Sequence, residues 1–116
     1  MTKVIYYTTT IEESPILNFI QSLSSIQKSK ISRIISHVEE YGLIAVIPHV
    51  RKLTGTPLWE IRILGQDNIR VLYALTGKDI ILLLHGFIKK SQQTPSREIN
   101  TALKRLQEWV TRKEKS

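Results

Sequence analysis

The stretch "LWEIRILGQDNIRVLYALTGKDIILLLHGFIKK", residues 58–90, decides the fold. It contains three strand-like runs, "LWEIRIL" (58–64), "IRVLYAL" (69–75) and "IILLLHGFIKK" (80–90), parted by "GQDN" and "TGKD". The first run alternates. Trp59, Ile61 and Ile63 fall on one side and Glu60 and Arg62 on the other, the period of a half-buried strand. The short separators carry Gly, Asn and Asp, whose backbones accept the angles of tight turns. Three consecutive strands joined this closely predict an antiparallel meander.

Upstream, "KVIYYTT" (3–9) is rich in β-branched and aromatic residues and reads as a strand. In "SPILNFIQSL", Ser14 caps a helix and Pro15 takes its first position; Ile16, Leu17, Ile20 and Leu23 line one face, with Phe19 beside it. "SSIQKSKISRIISHVEEYG" is a second helix with the stripe Gln27, Ile31, Ile34, Ile35 and Val38, and Gly42 stops it. The short link between the two predicts an antiparallel helix pair. "LIAVIPHVRKLTGTP", interrupted at Pro48, reads as a loop or short irregular strand that returns the chain to the sheet. Downstream, "TPSREINTALKRLQEWV" is a helix with Thr94 as cap, Pro95 at its first position and Glu98 in the first turn, where a negative charge suits the helix dipole. Its stripe is Ile99, Ala102, Leu103, Leu106 and Val110, with Trp109 adjoining, and the tail "TRKEKS" frays. Segregated helices and strands predict an α+β fold. The length suits one domain spanning 1–116.

The charge is uneven. Residues 1–50 balance four Lys/Arg against four Glu, whereas residues 51–116 hold thirteen Lys/Arg against six Asp/Glu, so the whole formal excess of +7 lies there. An excess so placed suggests a polyanionic partner, although a merely solvated basic surface has the same totals. The absence of cysteine excludes disulfides, thiolate metal sites and a cysteine nucleophile. "MTKVIYYTTT" has no apolar core of a signal peptide, and no apolar run reaches the roughly 18 residues of a membrane span. These features fit a cytoplasmic protein with no membrane partner. His37, His49 and His85 lie on different elements at no ligand spacing, so no metal is assigned; no nucleotide-binding fingerprint is present and no cofactor is expected.

The candidate chemistry sits on the meander. Arg62 on an alternating strand can simply face water. With a three-residue loop centred on Gln66, however, Arg62 falls opposite Arg70, and opposed like charges are retained more readily if an anion visits between them. With a four-residue loop the two arginines fall on opposite faces; both registers fit the sequence. In the last run His85, Phe87 and Lys89 alternate on one face, and Gly86, Ile88 and Lys90 on the other. Lysines at a strand end also blunt an edge, and Gly86 can relieve crowding against a helix. Taken together, cations, a histidine and an aromatic on adjacent strands suit RNA, whose bases stack and whose phosphates pair. Metal-free RNA cleavage uses the ribose 2′-oxygen as nucleophile. Arg and Lys would hold the phosphodiester and His85 would move protons, with Glu60 a weaker base candidate.

"KLTGTPLWEIRI", "IRVLYAL" and "ILLLHGFIKKSQQTPSREINTALKRL" resemble the phage-derived, HigB-like branch of the RelE/ParE toxin superfamily. The resemblance covers Lys52 to Leu106 in motif order and implies a RelE-like fold and the toxin of a type II toxin–antitoxin module. It also implies a ribosome-dependent mRNA endoribonuclease that inhibits translation, with a ParE-like DNA gyrase inhibitor as the alternative. By position it points to Arg62, Arg70, Lys52 and the two lysines of "HGFIKK"; joined with the reading of the residues, the candidates are Arg62, Arg70, His85 and Lys89 as catalytic, and Arg51, Lys52, Tyr73, Phe87 and Lys90 as RNA-binding. Implied partners are the ribosome, mRNA and a cognate HigA-like antitoxin with a helix-turn-helix domain, through which alone operator DNA is met. The chain ends in "TRKEKS" and lacks the carboxyl-terminal tyrosine that some members place near the scissile phosphate.

Overall fold

A computed structural model describes residues 2–43, 49–63, 65, 68–90 and 93–114. The elements run β1 (Lys3–Tyr6), α1 (Pro15–Gln21), α2 (Ser25–Tyr41), β2 (Val50–Lys52), β3 (Leu58–Ile63), β4 (Ile69–Gly77), β5 (Ile80–Ile88) and α3 (Ser96–Glu114). The strands form one sheet in the order β1-β5-β4-β3-β2. The β3-β4-β5 meander lies inside it, β1 joins β5 in parallel, and β2 joins β3 antiparallel at the far edge. The class is therefore α+β, compatible with a RelE-like fold.

Two apolar cores form because both sheet faces are covered. Ile16, Ile31 and Val38 from α1 and α2 pack with Ile61, Ile63, Ile69, Val71, Tyr73, Ile81 and Leu83. On the other face Ala102 of α3, flanked by Ile99, Leu103, Leu106 and Trp109, packs with Leu58, Leu72, Ala74, Leu82, Leu84 and Phe87. Trp109 rather than Val110 completes the α3 stripe, and Val110 sits at its exposed margin. Gly86 is where α1 comes closest to β5, since a Cβ there would overlap the Phe19 ring.

Local chemistry sets most of the helix ends. The Ser14 hydroxyl accepts from the Leu17 amide and donates to the Tyr7 carbonyl, so it caps α1 and ties it to the chain after β1. Gln27, expected on the apolar stripe of α2, instead closes a capping box with Ser24. Gly42, at φ +80°, ends that helix as expected. The start of α3 departs from expectation. Its first helical residue is Ser96, and the Pro95 carbonyl accepts from Glu98 and Ile99. The Thr94 hydroxyl donates to Glu60, and among the described residues no amide of the first turn of α3 donates to it. The tail expected to fray is helical through Glu114, where Arg112 donates to the Thr8 and Thr9 carbonyls; Pro48, Gln66 and Lys115, placed by their sequence in a return loop, a turn apex and the tail, lie outside the described residues.

Two register facts set the direction of every charged side chain on the meander. Arg62 pairs with Arg70 and Ile63 with Ile69, the odd-loop register of the two that the sequence allowed. Between β4 and β5 the register shifts, with Leu72 opposite His85 but Tyr73 opposite Leu83. Leu84 is the extra residue of a bulge, so Leu84 and His85 both face α3. Strict alternation from Leu82 would have turned His85, Phe87 and Lys89 toward α1 and α2. The bulge returns them to the face that carries Arg62 and Arg70.

Candidate functional site

Beyond the N-terminal end of α3, four cations and one carboxylate meet on the α3 face of the sheet. Glu60 on β3 is the centre and is fully buried. Arg51 stands opposite it on β2, with Nη2 3.8 Å from Glu60 Oε1. Arg70 Nε, from β4, lies 3.5 Å from the same oxygen. Thr94 donates its hydroxyl to Oε2. Lys89, just past β5, is 9 % exposed; its amide donates to the Asn68 carbonyl. Its ammonium feels the attraction of Glu60 and the repulsion of Arg70, Arg51 and Arg62. Arg62 completes the set opposite Arg70.

The electrostatics are those of a cationic nest around a buried anion. Burial lowers the Lys89 pKa from its ordinary value, Glu60 opposes that shift, and the three arginines add to it. Burial likewise lowers that of Arg70, with Glu60 opposing and Arg62 and Arg51 reinforcing. Neither Glu60 contact with a guanidinium is short enough to be a hydrogen bond. Arg70 Nη1 donates to the Ile69 carbonyl, and the contacts with Glu60 take up none of the other donors of Arg51 and Arg70. Four cations around one carboxylate leave a local excess of positive charge next to solvent, because Arg51 remains half exposed. Such an array suits a phosphodiester, which Arg binds through paired N–H donors and Lys through a point charge.

Other expected site residues are placed elsewhere. Tyr73 is fully buried in the core beneath α1 and α2, on the sheet face away from the arginines, so it offers no ring to RNA. It lies one residue from Leu72, and a one-residue step along a strand changes the face. Phe87 stands opposite Arg70 but is 6 % exposed and packed under α3, which closes its ring to a stacking base. Lys52 pairs with Trp59, on the face of α1 and α2. Its ammonium lies 5.8 Å from the Trp59 ring centroid and donates to the Thr56 carbonyl, away from the nest. Lys90 is exposed beyond β5.

His85 is held in a network of its own with α3. Its Nε2 lies 2.8 Å from Glu98 Oε1, and Arg105 donates to its Nδ1 at 3.0 Å. An accepting Nδ1 leaves the proton on Nε2, so the ring is the neutral Nε2–H form with both nitrogens engaged. It stacks on Phe87 at 5.6 Å between centroids. Burial, with Arg105, lowers its pKa against the pull of Glu98. Arg105 also donates to the Leu84 carbonyl at the bulge. This network fastens α3 to β5 and engages both ring nitrogens. Glu98 and Arg105 lie seven residues apart on one helical face, beside the apolar stripe. That spacing is the signal that could have identified them as a half-buried polar pair facing the sheet. No comparable signal in the sequence marks Thr94 as a partner of Glu60.

Among the described residues, no group of His, Asp and Glu side chains is placed as metal ligands would be, and no helix is long and apolar enough to cross a membrane. The model of a protein family described as "Phage derived protein Gp49-like (DUF891)" matches residues 18–107, a span from α1 through most of α3 that includes the whole nest. No curated protein matches the chain.

Proposed function

The chain belongs to the phage-derived Gp49-like family of the RelE/ParE-like superfamily of toxin–antitoxin toxins, and on that premise we propose that it is a HigB-like toxin cleaving messenger RNA on the ribosome. The observation that carries the reading is the convergence of Arg51, Arg62, Arg70 and Lys89, from separate strands, around Glu60 on one face. A gyrase-binding module has no need of an array matched to one phosphodiester.

In this reading Arg62 and Arg70 grip the scissile phosphate and neutralise the charge that builds as the ribose 2′-oxygen attacks phosphorus. The P–O5′ bond breaks, leaving a 2′,3′-cyclic phosphate and a 5′-hydroxyl end. Lys89 gives the departing 5′-oxygen its proton, which burial has loosened, and the 2′-hydroxyl proton passes to water. His85 supports this from behind by fixing α3 and the bulge that directs Lys89. The family implies an antitoxin partner; here it would be a HigA-like protein with a helix-turn-helix domain. The toxin would act in the cytoplasm, where ribosomes are.

The test is translation of a reporter message with purified ribosomes and the toxin, followed by primer extension. New 5′ ends that depend on toxin are expected. Intact transcripts, together with a block in a gyrase supercoiling assay, would move the protein to the gyrase inhibitors.

A further inference from the structure

Glu60 is the one member of the nest that cannot reach RNA, since no part of it is exposed. A carboxylate with no solvent contact is costly unless charges compensate it, and an apolar residue of similar size would often serve stability as well. Its surroundings are unusually one-sided. Arg51 faces it from β2, Arg70 from β4, Arg62 lies two residues along its own strand, Lys89 approaches from the end of β5, and Thr94 anchors its second oxygen from the segment before α3. Among the described residues, the charged neighbours are all positive. Its Oε1 lies midway between two guanidinia yet takes a hydrogen bond from neither.

We propose that Glu60 is the positioning residue of the site, a buried counter-ion that aims Arg51, Arg70 and Lys89 at a single phosphate without touching RNA. The proposal rests on the RNA-cleavage reading above. The carboxylate draws the cation stems together from below, and its long contacts with Arg51 and Arg70 leave guanidinium donors for the phosphate above. Thr94 fixes which way the carboxylate turns, so the start of α3 is tied to the geometry of the nest. Glu60 also opposes the loss of the Lys89 proton, which burial and three neighbouring arginines favour. Without that negative charge, Lys89 would become neutral at lower pH and could no longer serve as proton donor. RNA affinity, by contrast, would not fall, because the nest would be more positive.

The experiment is single-turnover cleavage of ribosome-bound message by wild type and Glu60→Gln, with rate and half-saturating toxin concentration measured across alkaline pH. Glutamine preserves volume and can still accept from Thr94. The expected result is a maximal rate lower by about tenfold or more, a half-saturating concentration no higher than wild type, and an alkaline limb moved to lower pH. Lys89→Arg in the same background should lower the rate further, since arginine does not give up its proton, and the residual cleavage should lack the moved limb, since arginine does not titrate in this range. Thr94→Val removes only the anchor and should lower the rate in the same direction; it carries the test if Glu60→Gln does not fold. An unmoved alkaline limb, or a weakened affinity with the rate retained, overturns the proposal while wild-type cleavage keeps the broader reading intact. A wild-type protein that leaves RNA uncut overturns both.

Discussion

Arg62 and Arg70 stand directly opposite one another across the β3–β4 ladder, two like charges at a position where neighbouring side chains meet. Opposed like charges cost a sheet up to about 1 kcal/mol. Glu60 offsets part of this from 3.5 Å beneath Arg70, and a phosphate between the two guanidinia would offset the rest. The pair thus works against the free protein and in favour of the bound one, as expected of a site kept for function rather than stability.

Arg70→Ala follows from that relationship. The variant sheds repulsion with Arg62 but takes one counter-ion from a buried carboxylate, so its stability should fall by up to about 3 kcal/mol in urea unfolding, with Arg51 and Lys89 still compensating Glu60. Cleavage of ribosome-bound message should fall by about 100-fold or more, the scale of removing one donor to a developing charge. Near wild-type cleavage by a folded Arg70→Ala protein would remove this residue from the site.

Gly86→Ala tests the close approach of α1 to β5. The added methyl would overlap the Phe19 ring and crowd Ile16. Overpacking of this kind costs about 1–3 kcal/mol. The urea midpoint should drop accordingly, and Gly86→Ala combined with Phe19→Leu should recover part of the loss. A variant as stable as wild type would mean that the helix moves away from the strand at little cost.

His85 makes stability depend on pH. Its pKa is lowered in the folded protein, first by burial and then by Arg105, against the opposing effect of Glu98. The folded state therefore binds fewer protons than the unfolded chain in the window just below the unfolded value of about 6.5. The histidine's contribution is fully present above that value and is lost as pH falls through the lowered folded value. His85→Gln keeps an acceptor for Arg105 and a donor for Glu98 but does not titrate. Between about pH 7 and about pH 5 its urea midpoint should fall less than that of wild type. Parallel curves would show that the ring does not titrate in this window.

Tyr73→Phe separates the buried phenol from RNA. The hydroxyl is buried with no hydrogen-bond partner among the described residues, and burial raises its pKa. Deleting an unsatisfied buried hydroxyl should leave stability unchanged or raise it by up to about 1 kcal/mol. Cleavage should be unaffected, because the ring lies on the sheet face opposite the arginines. A large loss of cleavage at unchanged stability would return Tyr73 to the site.

Much of the fold was legible in the residues because the signals that set it are local. Ser14 and Pro15 start α1 through a capping hydroxyl and a fixed φ, and Gly42 ends α2 at a positive φ. Both turns of the meander were marked by residues suited to them, and the basic half of the chain supplied the cations that meet at the site. Other groups are used at long range: Thr94 reads as a cap, and its hydroxyl donates to Glu60, thirty-four residues away in sequence.

The sequence by itself determined that the cations would sit at strand positions and that an antiparallel meander would carry them. Only the tertiary structure decided which way they point. The side-chain period of a strand is two, so one residue of loop length or one bulge reverses a face. The odd register that opposes Arg62 to Arg70, and the extra Leu84 that turns Lys89 toward them, arise from packing β4 and β5 between two helical layers. That packing joins residues far apart in the chain, and no short stretch of it encodes the outcome.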